Sequence, residues 1–336
     1  MLIFQSEYSD YIKKNYILNA VNNLFPKIRT SKYSNEYYVN QILDCNLNYK
    51  GWSSFGKTLN KFTNKSKFHH KYLNSIYLKW STANVFEIAY KNILKDNLDY
   101  NPEILKLNTD VTCISNMCGK ENIGVNPEYC KKNVTKVAFL NTSTNNTPIS
   151  INIIENNKIY ETHKTLCHDK SSVQPLLNNI FIPINKDCII DINADKAYIS
   201  TETYSCANTK VNVITPPREK SITQTNKEIK KISEKIKIQE LKNMNYNLKY
   251  TNASKNLING QNKIVNMNIK ILKLNNYIDA CKIKNENKSK TKRYLIENYF
   301  CSLKQISKLY LRTDKLKKTF MSTLFIGLLY NYKITV

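Results

Sequence analysis

"ILKLNTDVTCIS", residues 104–115, alternates in the manner of a strand with one face turned inward. One carboxylate, Asp110, stands in the middle of it among β-type residues. An aspartate in such a place is best kept neutral, moved to an edge, or used. Outward from this stretch, "TKVAFLNT" (135–142) and "PISINIIE" (148–155) read as two more strands, and "STNNTP" (143–148) between them suits a hairpin turn. "SSVQPLLNNIFI" (171–182) has the pattern of a short helix. "DCIIDINADKAYIS" (187–200) is an isoleucine-rich strand that runs into a loop, with Asp195 at the strand's end. Strand, hairpin, helix, strand and then helices make a mixed α/β pattern.

The chain on either side of this block is helical. Residues 1–34 read as a short helical arm, and 35–98 as a small basic helical domain. In "KYLNSIYLKWSTANVFEIAYKNILKDN" (71–97), Tyr72, Ile76, Trp80, Val85 and Ile88 form one apolar stripe with lysines elsewhere. Such a domain either binds DNA or packs with a solvated face, and the stripe alone does not choose. Residues 104–214 hold the strands. Residues 215–290 come after a Pro-Pro break and are charged and of low complexity. Their isoleucines and leucines recur at three and four, as in a helical hairpin or coiled-coil insertion, though a flexible basic excursion has the same composition. Residues 291–336 are helical and close the chain.

Composition narrows the partners. The chain has 336 residues, with 51 Lys+Arg against 26 Asp+Glu, a formal net charge of +25. Its hydrophobic share of 41% is enough for a real core. So positive a chain points to a polyanion, above all nucleic acid. An AT-rich genome imposes the same excess of Asn, Lys, Ile and Tyr, so charge alone decides little. The start, "MLIFQSEYSDYIKK", has neither the apolar core nor the cleavage site of a signal peptide. The longest apolar run, "FMSTLFIGLLYNY" (320–332), suits a buried terminal helix rather than a membrane span. The 9 cysteines are scattered and read as reduced, intracellular thiols. Cys113, Cys118 and Cys130 are near one another and Cys167 precedes His168, but there is no C-x-x-C pair, so the zinc signature is absent. The pair His69–His70 reads as solvated.

A third carboxylate lies in "RYLIENYFCSLK" (293–304). Arg293 lies four residues before Glu297 and Lys304 seven after it, which places cation, carboxylate and cation on one helix face. Ile296, Phe300 and Leu303 lie beside that face and can pack it onto a core. An Arg293–Glu297 surface ion pair would be worth only ~0.3–0.5 kcal/mol. Together with Asp110 and Asp195, Glu297 would complete a set of hard oxygen ligands for Mg²⁺ or Mn²⁺.

On these segments the chain resembles the DDE transposases of insertion sequences, in the branch with a ribonuclease-H-like catalytic core. "TDVTCISNMCGKENIGVNPEYCKKNVTKVAFL" (109–140) is similar to the family's first segment, with Asp110, Thr112, Asn116, Gly119, Gly124, Asn126, Pro127, Tyr129, Thr135 and Lys136 matching. "ADKAYIS" is like its Ala-Asp-Lys-Gly-Tyr. "RYLIENYFCSLK" matches the Arg-x3-Glu-x6-Lys part of Y-x2-R-x3-E-x6-K, and "LRTDK" (311–315) resembles the family's downstream Arg-x-Asp-Lys. The segment before Asp110, with Trp80 and Phe86, also matches, so the resemblance covers roughly residues 35–330. Lys290 replaces the signature's tyrosine, Ala197 replaces a glycine, and "LNTSTNN" replaces an Asp-Gly turn.

The resemblance implies that Asp110 and Asp195 sit on adjacent strands and Glu297 on a later helix. These three would be catalytic and would bind Mg²⁺, with Mn²⁺ able to substitute. Arg293, Lys304, Lys136 and Lys196 would contact DNA phosphates. The expected activity is cleavage of element ends and their joining to target DNA. Double-stranded DNA would be the partner, a homo-oligomer would form on it, and the protein would be intracellular with no membrane association. The helical insertion before Glu297 would contact DNA or another subunit. The alternative is a DNA-binding protein, derived from such an enzyme, that no longer catalyses.

Overall fold

The structure is a computed structural model that describes residues 2–26, 33–49, 51–62, 70–98, 103–116, 124–126, 131–154, 169–185, 187–195, 198, 204–206, 209–215, 219–249, 254–286, 294–306 and 316–333. Its centre is a mixed sheet of seven strands: β1 (Ile104–Ser115), β2 (Gly124–Asn126), β3 (Lys131–Thr142), β4 (Pro148–Ile153), β5 (Ile189–Asn193), β6 (Ser205–Cys206) and β7 (Thr209–Ile214). The order is β2-β3-β1-β5-β7-β6, and β4 also pairs with β3. β1, β5 and β7 are parallel to one another, while β3 is antiparallel to β1, β2 and β4. The opening stretch is thus a central strand, paired on both sides. That is why it carries a long alternation with Leu107, Asn108 and Thr109 all fully buried.

Ten helices are described: α1 (Leu2–Leu24), α2 (Asn35–Asn48), α3 (Trp52–Phe62), α4 (His70–Thr82), α5 (Val85–Asn97), α6 (Val173–Asn178), α7 (Glu219–Lys249), α8 (Ser254–Glu286), α9 (Tyr294–Ile306) and α10 (Lys317–Asn331). The N-terminal arm is longer than its reading as a short arm. It is a 23-residue helix whose Ile17, Ala20 and Val21 are buried. The apolar stripe across 72–88 does not hold as one face. Tyr72 is 57% exposed, and α4 instead buries Leu73, Tyr77, Trp80 and Ser81. Inside α4 the buried line is Leu73, Tyr77 and Trp80, spaced by four and three, and Tyr72 stands one residue off it; Asn84, with a left-handed backbone (φ 55), then separates α4 from α5.

Helices α1–α5 do not enclose a core of their own. Tyr77 donates its hydroxyl to the Thr319 carbonyl of α10 at 2.9 Å, and Tyr90 donates to the Pro148 carbonyl of β4 at 2.7 Å. One hydrophobic cluster runs from Ile17 through Phe139 and Phe300 to Leu329. The apolar run at 320–332 is largely the buried helix α10, and no helix among the described residues is long and apolar enough to cross a membrane.

The sequence reading passes over residues 209–214, which form β7 beside β5. The signal is there in the alternation of Val211 and Val213 with Lys210 and Asn212 and in the β-branched residues. Helices α7 and α8 form the helical hairpin, joined along its length by Lys270–Glu228 (2.7 Å) and by Asn243 packed against Gly260. The inward positions Thr225, Ile229, Ile232, Ile236, Gln239 and Asn243 alternate by four and three, and Leu257, Gly260, Ile264, Met267, Ile271, Leu274 and Ile278 by three and four.

Candidate active site

The site is built on the registers of β1. On its parallel side Asn108 stands opposite Asn193 of β5, and the Asn193 Nδ2 donates to Asn108 Oδ1 at 3.1 Å. Asp110 and Asp195 each lie two residues further along, at the carboxyl end of β5. Side chains two apart share a sheet face, so the matched asparagines carry the two aspartates at equivalent places on neighbouring strands. Both aspartates are half-buried. The Asp110 carboxylate accepts the backbone N–H of Val111 at 2.8 Å.

On its antiparallel side Asp110 faces Phe139 of β3, so both side chains emerge on the same face. That face is covered by α9. The Phe139 ring packs against Tyr299 and Phe300, with centroids 6.4 and 5.1 Å away. Ile296, Phe300 and Leu303 are the buried stripe of α9, as their spacing predicts. Polar contacts hold the helix at both ends. Near its start, Asn146 donates its Nδ2 to the Leu295 carbonyl. Near its end, the Lys304 ammonium donates to Thr112 Oγ1 at 2.7 Å and to the Cys113 carbonyl at 3.2 Å. Glu297 is exposed and lies on the same flank of α9 as Lys304, seven residues before it.

The hairpin between β3 and β4 has no Asp-Gly, yet it closes. Asn146 takes the positive φ (53) that glycine would otherwise supply, and its Oδ1 accepts from Asn141 Nδ2 at 3.0 Å. This turn is therefore the one that reaches α9.

The structure separates the other residues. Lys136 pairs with Cys113 of β1 in the strand register, an odd step from Asp110, so it lies on the opposite face. There its ammonium forms an ion pair with Asp169, ahead of α6. Arg293 and Lys196 lie outside the described residues, as do Cys118, Cys130, Cys167 and His168. Cys113 is half-buried. Among the described residues, no group of three or more His, Cys, Asp and Glu is close enough to hold a metal ion.

Sequence reasoning passed over the asparagines, and it quoted Tyr198 within "ADKAYIS" without giving it a role. The signal for the first was present: "NTD" (108–110) and "NAD" (193–195) share the spacing Asn-x-Asp. Tyr198 is 1% exposed, and its backbone N–H donates to the Asp195 carbonyl at 3.0 Å. Burial, and after it the Asp169 and Asp110 carboxylates, pushes its phenol well above the ordinary tyrosine range. The hydroxyl lies near those of Ser172 and Thr109 without a hydrogen bond of good geometry. No protein-family model and no curated protein matches this chain.

Proposed function

We propose that the chain is a DDE transposase with a ribonuclease-H-like core, in which Asp110, Asp195 and Glu297 are the catalytic carboxylates. The observation that carries this reading is the Asn108–Asn193 register, which sets Asp110 and Asp195 at matching places on the parallel neighbours β1 and β5. Support comes also from α9, which lays the helix of Glu297 over the sheet face from which Asp110 emerges. Carboxylate oxygens of this kind suit Mg²⁺, with Mn²⁺ as a substitute. Such a metal, when bound, supplies Lewis-acid activation of a phosphodiester. Asp110 and Asp195 would hold it from the sheet and Glu297 from the helix, with the three drawn closer together than the structure holds them. The net charge of +25 favours double-stranded DNA as the substrate, and binding there would leave the protein with the chromosome or element it acts on.

The test is Mg²⁺-dependent nicking of DNA carrying the element's ends, by the whole chain and by Asp110→Asn, Asp195→Asn and Glu297→Gln. Each variant should bind DNA as the parent does and lose strand cleavage by orders of magnitude, while Glu286→Gln should be silent. Cleavage by Glu297→Gln equal to that by Glu286→Gln would remove Glu297 from the site. DNA binding without metal-dependent nicking in the parent chain would favour a non-catalytic DNA-binding protein.

A further inference from the structure

On the sheet face that carries Asp110, two buried polar atoms have no partner among the described residues. They are Asn108 Nδ2 on β1 and Asn141 Oδ1 on β3. Both residues are 0% exposed, and they stand opposite each other in the antiparallel register. The Cβ atoms of such a pair lie about 5 Å apart, so the two amides are close neighbours. One free atom is a donor and the other an acceptor. A buried amide that has given up water and gained nothing in its place is rare in a folded protein and has a cause.

The surrounding bonds fix which end of each amide points where. Asn141 Nδ2 donates to the Asn146 carbonyl at 3.3 Å and to Asn146 Oδ1 at 3.0 Å. A backbone carbonyl only accepts, so Asn141 cannot be turned round and its free end is Oδ1. The Leu295 carbonyl of α9 fixes Asn146 in the same way, by accepting from its Nδ2. On β1, Asn108 Oδ1 accepts from Asn193 Nδ2 and from Ser143 Oγ, each at 3.1 Å, which leaves Nδ2 as its free end. Followed from β5, Asn193 donates to Asn108, Asn141 donates to Asn146, and Asn146 donates to α9. The amides run head to tail, with one break, between Asn108 and Asn141.

The chemistry of that break selects its occupant. The Asn108 N–H groups repel a cation, and the Asn141 oxygen repels an anion. A molecule that accepts on one side and donates on the other suits both, and water is small enough to do so across a gap of about 5 Å. We infer that a single water molecule is bound between Asn108 Nδ2 and Asn141 Oδ1. It completes a chain of amides from β5, the strand that leads to Asp195, across β1 and β3 to α9, the helix of Glu297. Hydrogen bonds in such a series polarise one another in the same direction. The chain ties the first turn of α9 to the sheet, as Lys304 ties the last turn. This inference does not depend on the catalytic reading.

A crystal structure of the whole chain tests the site. A water is expected within ~3.2 Å of both Asn108 Nδ2 and Asn141 Oδ1. A direct bond between the two side chains, or a dry contact there, would overturn the inference. Hydrogen exchange tests the tie to α9. Asn146→Gly keeps the turn, since glycine accepts the positive φ, and removes the side chain that reaches Leu295. Exchange of the amides of residues 298–301 should quicken by about fivefold, the change that one net hydrogen bond gives, with those beside Lys304 little altered. Asn141→Leu, which removes the water's acceptor at similar volume, should act alike. Ser143→Ala, which lies off the chain, should leave exchange as in the parent. Parental exchange in Asn146→Gly, or a folded Asn141→Leu that exchanges as the parent does, would refute the chain. Nicking by the carboxylate variants bears on the proposed activity alone.

Discussion

The resemblance implies that Lys304 would hold a DNA phosphate, and in the structure its ammonium is hydrogen-bonded to β1. Substituting Lys304→Met keeps the stem and removes both hydrogen bonds, to Thr112 Oγ1 at 2.7 Å and to the Cys113 carbonyl at 3.2 Å. Hydrogen bonds from a charged group contribute ~1.5–3 kcal/mol each when removed by mutation, and the lower part of that range applies to a half-buried ammonium that water partly reaches. The two bonds share one ammonium, so their joint loss is about 2 kcal/mol rather than the sum. At ~2.1 cal/mol/K per residue, unfolding a chain of this length carries an entropy of roughly 0.7 kcal/mol/K, so Tm should fall by about 3 °C. Calorimetry on Lys304→Met, with Lys242→Met on exposed α7 as control, reads this directly. Were the ammonium held for DNA, Tm would stay within about 1 °C of the parent's and the salt slope of DNA binding would weaken by about one phosphate. That pair of results would refute the reasoning that Lys304 fixes α9 to β1.

Alkaline pH should be costly. Burial raises the phenols of Tyr90 and Tyr198 well above 10, so each keeps in the folded protein a proton that the unfolded chain releases. Their contribution is fully present below the unfolded value and is lost as pH rises past it, at about 1.4 kcal/mol per unit for each tyrosine. Urea melts between about pH 9 and 11.5 should show the decline, and replacing both tyrosines by phenylalanine should make it shallower, the remaining slope belonging to other buried phenols such as Tyr16, Tyr299 and Tyr330. Asn84→Ala should destabilise by about 1–2 kcal/mol because φ is 55 there, while Asn84→Gly should be near neutral; chemical denaturation separates them. DNA binding should weaken with salt, log affinity falling by about 0.9 per log unit for each phosphate neutralised; filter binding across a salt series checks it, and a flat response would exclude electrostatic binding.

Much of the fold was legible because it is local. β1 runs over Ile104–Ser115, the stretch the alternation marks, since a central strand must keep its pattern over its whole length. The buried stripe of α9 and the two insertion helices are readable from spacing alone, since a helix fixes which residues share a face. The sequence also supplied Asp110, Asp195 and Glu297 as candidates, because a carboxylate among apolar neighbours is conspicuous whatever surrounds it.

Tertiary structure decided what required a partner strand or helix. Whether Asp110 and Asp195 stand side by side depends on the register of β1 against β5, set by a bond between Asn108 and Asn193, 85 residues apart. Lys136 and Lys304 look equally suited to a phosphate in sequence. One extra step along a strand sends Lys136 to the other face and to Asp169, whereas the turn of α9 brings Lys304 back onto β1. Residue type determines which charges a chain carries. Only the packing of strand against strand and helix against sheet determines which of those charges meet, because contacts between distant segments are made by folding and leave no period in the sequence.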